Sequence, residues 1–190
     1  MNRLFTLTLI NIFLTTCVTV AQNNKQQAEN NPWTTEGKFS VLLSQAAFSD
    51  TWTGGGISNY AIQFNSYYSF NYQNKGIGWT NEIWAEYGVS KTKDQAFIRK
   101  TNDRFEINSL FAMQMENSKW AYSILLNFKT QFANGFNFTT DAMGNEQREK
   151  ISGLFAPAYL QLGPGLQWDN SPKFQINISP ASGRFIFASK

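Results

Sequence analysis

Five charged residues, each on the polar side of an alternating segment, are the best candidates for chemistry: Glu82, Glu86, Arg104, Glu106 and Lys129. Paired carboxylates can act as a general acid and base, and opposite charges that face one another can stabilise a sheet. The sequence has no histidine, which excludes Ser-His hydrolases and histidine zinc sites. We therefore expect no enzyme, no catalytic residue, no cofactor site and no metal site.

Three interpretations of these charges are open. The sequence favours a structural charge ladder that lines or plugs a lumen, ahead of a pore constriction that selects ions. A catalytic carboxylate pair is the least favoured. If two hairpin turns centre near residue 95 and between residues 117 and 118, antiparallel register places Glu86 opposite Arg104 and Glu106 opposite Lys129.

Residues 1–21 are predicted to be a secretory signal peptide. Arg3 precedes an apolar run over residues 4–14, and small residues lead to a cleavage site after Ala21. The run is shorter than the ~20 residues that a membrane helix needs, and the threonine before Cys17 fits a lipoprotein site poorly. Cleavage removes Cys17, the only cysteine, so thiolate chemistry is not expected.

The rest of the chain is predicted to be a polar flexible leader, residues 22–37, and a β-barrel domain, residues 38–190. The 16 basic and 13 acidic residues nearly balance, which gives no reason to propose nucleic acid as a partner. Aromatic residues make up 16% of the chain and charged residues only 15%, against about a quarter charged in soluble domains. This composition favours a barrel that faces lipid.

Period-two alternation predicts the strands. In residues 58–72 one set of alternate positions is aromatic and apolar, and the other carries amides and small side chains. Residues 77–89, 105–115 and 120–132 repeat this pattern. The weaker candidate strands are residues 38–48, 151–168, 173–179 and 184–188.

Segment length separates a membrane barrel from its competitor, a soluble sandwich with an aromatic core. Four segments reach eleven residues or more, whereas soluble strands average about five or six and membrane strands need ~9–11. Aromatic residues lie near the segment ends, and short connections alternate with long ones, as in outer-membrane barrels. We predict an all-β fold: an antiparallel up-and-down transmembrane β-barrel of about eight strands. The N-terminus of the barrel is predicted to lie on the periplasmic side.

Several short motifs along the chain resemble those of a known family. They comprise Gln45, Phe48, Trp52, Thr53, Gly54 and Gly55, then Lys100, Thr101 and Asp103, residues 130–132 with Gly135, residues 154–158 with Gly163 and Gly165, and residues 178–180. The pattern resembles the domain of unknown function 3078 family of Bacteroidota outer-membrane barrel proteins. The resemblance covers most of residues 33–190 and implies an outer-membrane barrel without established catalytic residues. Because the family continues for several more strands, it also implies an incomplete barrel in this chain.

The resemblance and the strand pattern lead to one functional expectation and one alternative. We expect an outer-membrane β-barrel protein, structural or porin-like, whose partners are outer-membrane lipid and the barrel insertion machinery. The alternative is a ligand-binding β-barrel, periplasmic or membrane-bound, that holds a small apolar molecule. The loop signature Trp52, Gly54 and Gly55 is interpreted as a tight return that glycine permits, ahead of an external recognition loop. The sequence does not specify a substrate or an oligomeric state.

Overall fold

The computed structural model describes residues 31–49, 53–171 and 174–188, which form ten strands and no helix. The strands are β1 Trp33–Ala46, β2 Asn59–Asn74, β3 Ile77–Thr92, β4 Arg99–Gln114, β5 Trp120–Thr130, β6 Gly135–Thr140, β7 Glu146–Ser152, β8 Ala158–Ser171, β9 Phe174–Ile178 and β10 Gly183–Phe187. No helix able to cross a membrane occurs among these residues. The predicted signal peptide, residues 1–21, lies outside the described residues.

The strands form one antiparallel sheet, curled into a half-barrel, and one separate hairpin. Strands β1 to β5 follow one another in the sheet, and β8 lies next to β5. Strands β9 and β10 both pair with β8, so the main sheet has eight strands. The predicted all-β, antiparallel, barrel-like fold is therefore confirmed. The first five strands also have the predicted up-and-down order.

The last two strands of the sheet share a single strand position. Strand β9 pairs with residues 166–171 of β8, whereas β10 pairs with residues 158–162 of the same strand. Between them the Ser179 hydroxyl donates to the carbonyl oxygens of Gly163 and Pro164, both at 3.2 Å. A Cβ at Gly165 would lie 2.5 Å from the Ile178 carbonyl oxygen, so glycine permits this close approach. The connection over residues 179–182 is thus a break within one edge strand, not a turn between neighbours.

The sheet begins earlier than predicted, because β1 starts at Trp33 and not at residue 38. Residues 33–37, assigned to the flexible leader, pair with residues 68–72 of β2. The alternation was hidden here because Thr35 and Gly37 occupy positions where an apolar side chain was expected. The part of the leader before residue 31 lies outside the described residues.

Short and long connections lie at opposite ends of the sheet, as the sequence predicted. The strand pairs β2–β3, β4–β5 and β8–β9 are joined by short connections at one end. Lys75 and Gly76 both have positive φ, 44° and 80°, which is the two-residue turn that matches strand twist. Strands β1–β2, β3–β4 and β5–β8 are joined at the other end by longer segments.

The longest connection contains a hairpin that the sequence pattern did not predict. Strands β6 and β7 pair with each other in a separate two-stranded sheet. Glu146 binds the Arg99 guanidinium and accepts hydrogen bonds from the backbone N–H groups of Ala96 and Phe97, at 2.9 and 3.2 Å. The Arg99 guanidinium also lies 3.3 Å from the centre of the Phe138 ring. These contacts fasten the hairpin to the β3–β4 connection.

The family-like motifs come together at the end of the sheet where the longer connections lie. We call this group, Lys100, Asp103, Thr130 and Gln131, the signature cluster. Asp103 accepts hydrogen bonds from the backbone N–H groups of Phe132 and Ala133, at 2.7 and 3.0 Å, and pairs with Lys100 at 2.6 Å. Gln131 donates to the carbonyl oxygens of Gly153 and Ala156, at 2.8 and 2.9 Å, and Thr130 donates to that of Pro157 at 3.2 Å. The signature cluster therefore fixes the path of the chain between β5 and β8.

We expect Asp103→Ala to lower the free energy of unfolding by about 2–3 kcal/mol, because two backbone N–H groups and Lys100 lose a charged acceptor. The Asp103 side chain is only 3% exposed, so water replaces it poorly. The measurement is urea unfolding of the refolded chain. Glu149→Ala, on the exposed surface of β7, is the control and should change stability by less than about 0.5 kcal/mol. Equal effects of the two substitutions on the free energy of unfolding would contradict a stabilising role of the signature cluster.

Candidate functional site on the concave polar face

The polar face of the sheet is its concave face. A cavity of about 230 Å³ lies on it near the short connections, and residues from six strands line this one space. They include Gln73, Thr80, Leu110, Ala121, Gln167 and Gln175, from β2, β3, β4, β5, β8 and β9 respectively. Because one small cavity touches so many strands, the sheet must curve around this face.

The predicted register of the charged residues is confirmed. Glu86 of β3 lies opposite Arg104 of β4, and Glu106 of β4 lies opposite Lys129 of β5. These four residues lie on the concave face, and Glu82 of β3 lies on the same face. The structure therefore places all five predicted residues on one face.

Arg104 is the centre of the charged network. Its guanidinium lies 3.4 Å from Glu86 and 2.8 Å from Glu106, measured between nitrogen and oxygen atoms. Its Nε also donates to Glu106 at 2.9 Å. Both contacts to Glu106 involve the same oxygen, Oε2, so one guanidinium holds two carboxylates by charge-assisted hydrogen bonds, one across the strand pair and one on the same strand.

Glu106 lies opposite Lys129 as predicted, but its direct contacts are with other residues. The Glu106 carboxylate is held by Arg104 and by the Asn127 amide, which donates at 2.9 Å. Lys129 has the predicted register position, but its side chain is exposed. Arg104 lies two residues from Glu106 on the same face of β4, and its planar guanidinium contacts the Glu106 carboxylate directly.

Amides and a tyrosine, which the charge pattern alone missed, complete the network. Asn102 donates to Glu86 at 2.9 Å, and Asn127 donates to Asn108 at 2.6 Å. The Tyr67 hydroxyl donates to Glu82 at 3.3 Å. A signal for Tyr67 was present, because it falls on the polar side of the alternation in β2.

An aromatic pair also lies on this polar face. Tyr67 and Trp84 are cross-strand partners in the β2–β3 register, and their ring centres are 4.4 Å apart with 49° between the planes. Lys38 lies over the Tyr67 ring at 5.8 Å, and Arg104 lies over the Trp84 ring at 5.6 Å. Trp84 could have been found from its position between Glu82 and Glu86 in the alternation.

The loop signature is only partly described. Trp52 lies outside the described residues, so a recognition role for it stays a prediction. Gly54 and Gly55 are exposed, and Gly55 has a φ of 78°, in the left-handed region that favours glycine. A Cβ on the neighbouring Gly56 would lie 2.7 Å from the Phe48 ring. The two interpretations of this loop, a tight return and an external recognition loop, both stay predictions, because residues 50–52 lie outside the described residues.

The tip of the β6–β7 hairpin carries several carboxylates and amides, which are possible ligands for a hard cation. Asp141 instead accepts hydrogen bonds from the backbone N–H groups of Asn145 and Met143, at 2.8 and 2.9 Å. These bonds, chiefly the one from Asn145, lower the pKa of the Asp141 carboxyl below its ordinary value. Across the described ranges, no group of three His, Cys, Asp or Glu residues is placed to hold a metal ion.

We expect double-mutant cycles to give a larger coupling energy for Arg104 with Glu106 than with Glu86. The first pair makes two contacts below 3 Å, and the second makes one at 3.4 Å. Alanine substitutions should give coupling energies of about 1–2 kcal/mol for the first pair and about 0.5 kcal/mol for the second, measured by urea unfolding. Zero coupling in both cycles would mean that the ladder does not stabilise the sheet.

Comparisons with known proteins identify one relationship. Residues 43–136 match the family described as a protein of unknown function, DUF3078. The matched segment runs from β1 into β6 and contains Asp103, Gln131 and all five predicted charges. Neither the curated proteins nor the solved structures gave a match. The match over residues 43–136 supports the assignment of this chain to the DUF3078 family.

Proposed function

We propose that this chain is a β-barrel protein of the bacterial outer membrane, with a structural or pore-forming role. The observation that carries the proposal is the distribution of polarity. Among the described residues the convex face of the sheet is apolar and exposed, while the concave face carries the charges and amides. A protein that folds in water has the opposite arrangement, with its large apolar side chains inside.

The exposure of the convex face is large. Leu43 is 75% exposed, Phe39 67%, Tyr122 58% and Ile124 54%. The buried apolar residues of the described chain are all alanines, Ala112, Ala121, Ala156 and Ala158, and no large side chain there is fully buried. Soluble monomers rarely expose a continuous apolar surface of this kind. Lipid chains would cover it without the need for a second protein layer.

A belt of aromatic side chains lies on the convex face near the short connections. The rings meet in pairs with centre-to-centre distances between 5.1 and 6.5 Å: Trp33 with Tyr72 and Trp79, Trp120 with Trp168, and Trp168 with Phe174. The belt extends across β1, β2, β3, β5, β8 and β9. Transmembrane barrels have such girdles where the bilayer meets water.

The strand lengths are compatible with a bilayer. Strands β2, β3 and β4 have 16 residues each, and β1 and β8 have 14. A tilted membrane strand needs ~9–11 residues, so these strands would cross and continue into water. The short connections would then face the periplasm and the longer ones the exterior.

The competing proposal, a barrel that holds a small apolar molecule, has less support. The concave face that would hold such a ligand carries Glu86, Arg104, Glu106 and several amides. Binding an apolar molecule there would remove these groups from water without new partners, which is unfavourable. A polar lumen suits water and hydrated solutes. Outer-membrane lipid and the barrel insertion machinery are the proposed partners, and the Bacteroidota outer membrane the proposed location.

We expect the chain purified from outer membranes to migrate differently on a semi-native gel before and after boiling. A closed barrel resists detergent until it is heated, because all its strands are paired. Among the described residues the sheet is a half-barrel whose first and last strands are open edges, so a shift would mean that these edges are closed in the membrane. Intact mass measured on the same sample defines the species that produces the shift. Recovery of the chain in the soluble periplasmic fraction, without a heat-dependent shift, would overturn the membrane proposal.

A charge placed on the convex face tests the lipid contact directly. We expect Ile124→Arg, near the middle of β5, to lower stability in vesicles by about 2–4 kcal/mol, because the charge would face hydrocarbon. Met143→Arg is the matched control: Met143 is 89% exposed at the hairpin tip, and its substitution should cost less than about 0.5 kcal/mol. If Ile124→Arg were equally harmless, the convex face would be in contact with water.

A further inference from the structure

We propose that the aromatic pair Tyr67 and Trp84 forms part of a binding site for a neutral sugar ring. The site lies on the concave face beside β1, in a cavity of about 560 Å³. This volume is within the usual range for small-molecule sites. The inference extends the proposed function by naming a ligand class, but it requires only the folded concave face.

The aromatic pair is the first observation that points to a ring-shaped ligand. Alternation sends most aromatic side chains of β2 and β3 to the convex face, whereas Tyr67 and Trp84 lie among amides and carboxylates. Both rings are only half-buried and line the cavity. The C–H groups on one face of a sugar ring carry partial positive charge, which the negative face of an aromatic ring attracts.

Hydrogen-bonding groups surround the pair, which is the second observation. Glu36, Lys38, Ser40, Asn65 and Glu86 line the same cavity. Carboxylates accept hydrogen bonds from hydroxyl groups, and the lysine and amide can donate to ring and hydroxyl oxygens. A polyhydroxylated ring needs this combination of a flat apolar contact and convergent polar groups.

Charge compensation indicates that the ligand is neutral. Lys38 lies 2.8 Å from Glu36, and Arg104 lies 3.4 Å from Glu86. Each cation near the aromatic rings therefore already has a carboxylate partner. An anionic ligand would have to compete with these carboxylates, and a cationic ligand with Lys38 and Arg104. A neutral ring leaves both ion pairs in place.

The test is binding of methyl glycosides and neutral disaccharides to the chain refolded in detergent, measured by saturation-transfer NMR and calorimetry. We expect dissociation constants on the order of 1 mM, typical of a small ligand in an open site. Tyr67→Ala and Trp84→Ala should each weaken binding at least about tenfold, because the flat contact is lost. Trp84→Phe retains a ring and should lose less.

Tyr68→Ala is the matched control, because Tyr68 is the next residue on β2 but lies on the convex face and is 46% exposed. It should leave binding unchanged. Absence of binding, equal losses from the Tyr67 and Tyr68 substitutions, or tighter binding of a sugar acid than of its neutral parent would each overturn the inference. A normal heat-dependent gel shift in the same preparation would leave the membrane proposal intact, so the two failures are distinguishable.

Discussion

The pleat of the β-strand is the constraint on which the rest of this molecule depends, because it sends successive side chains to opposite faces. The main sheet has one layer, and its strands contact chiefly their hydrogen-bonded neighbours. A domain that folds in water normally packs a second layer against its apolar face. Here that face, with Phe39 and Leu43 exposed, has no protein cover within the described residues. Lipid chains would cover this face, and its exposure is the argument for the membrane proposal.

The curvature of the sheet makes the opposite face a place where charges can meet. On a flat sheet, Glu86, Arg104 and Glu106 would project into water and be screened. On the concave face their side chains converge, and the arginine fork holds both carboxylates. The amides of Asn102 and Asn127 donate further hydrogen bonds to those carboxylates. The Arg104 network is thus largely paired within the protein, whereas the Lys129 side chain on the same face is exposed.

The features that depend on local alternation could be predicted from the sequence, and those that depend on packing could not. Alternation located β2 to β5, and turn positions gave the register of Glu86 with Arg104. The partner of Glu106 depended on the reach of a side chain, which register does not specify. Strand β6 was missed because its six residues are too few for a clear pattern. The shared position of β9 and β10 arises from the close approach of Gly165 to Ile178, a contact between distant residues.

The family-like motifs and the concave-face residues have different roles in the fold. Asp103 and Arg104 are neighbours on β4. Asp103 binds backbone N–H groups in the signature cluster, whereas Arg104 binds the side chains of the charged network on the concave face. The contacts of the signature cluster are largely to backbone atoms, so they fix the path of the chain. Glu86, Trp84 and Tyr67 are not part of the family-like motifs. The motif residues therefore help to fix the path of the chain around the sheet, whereas the concave-face network is built from residues outside the motifs.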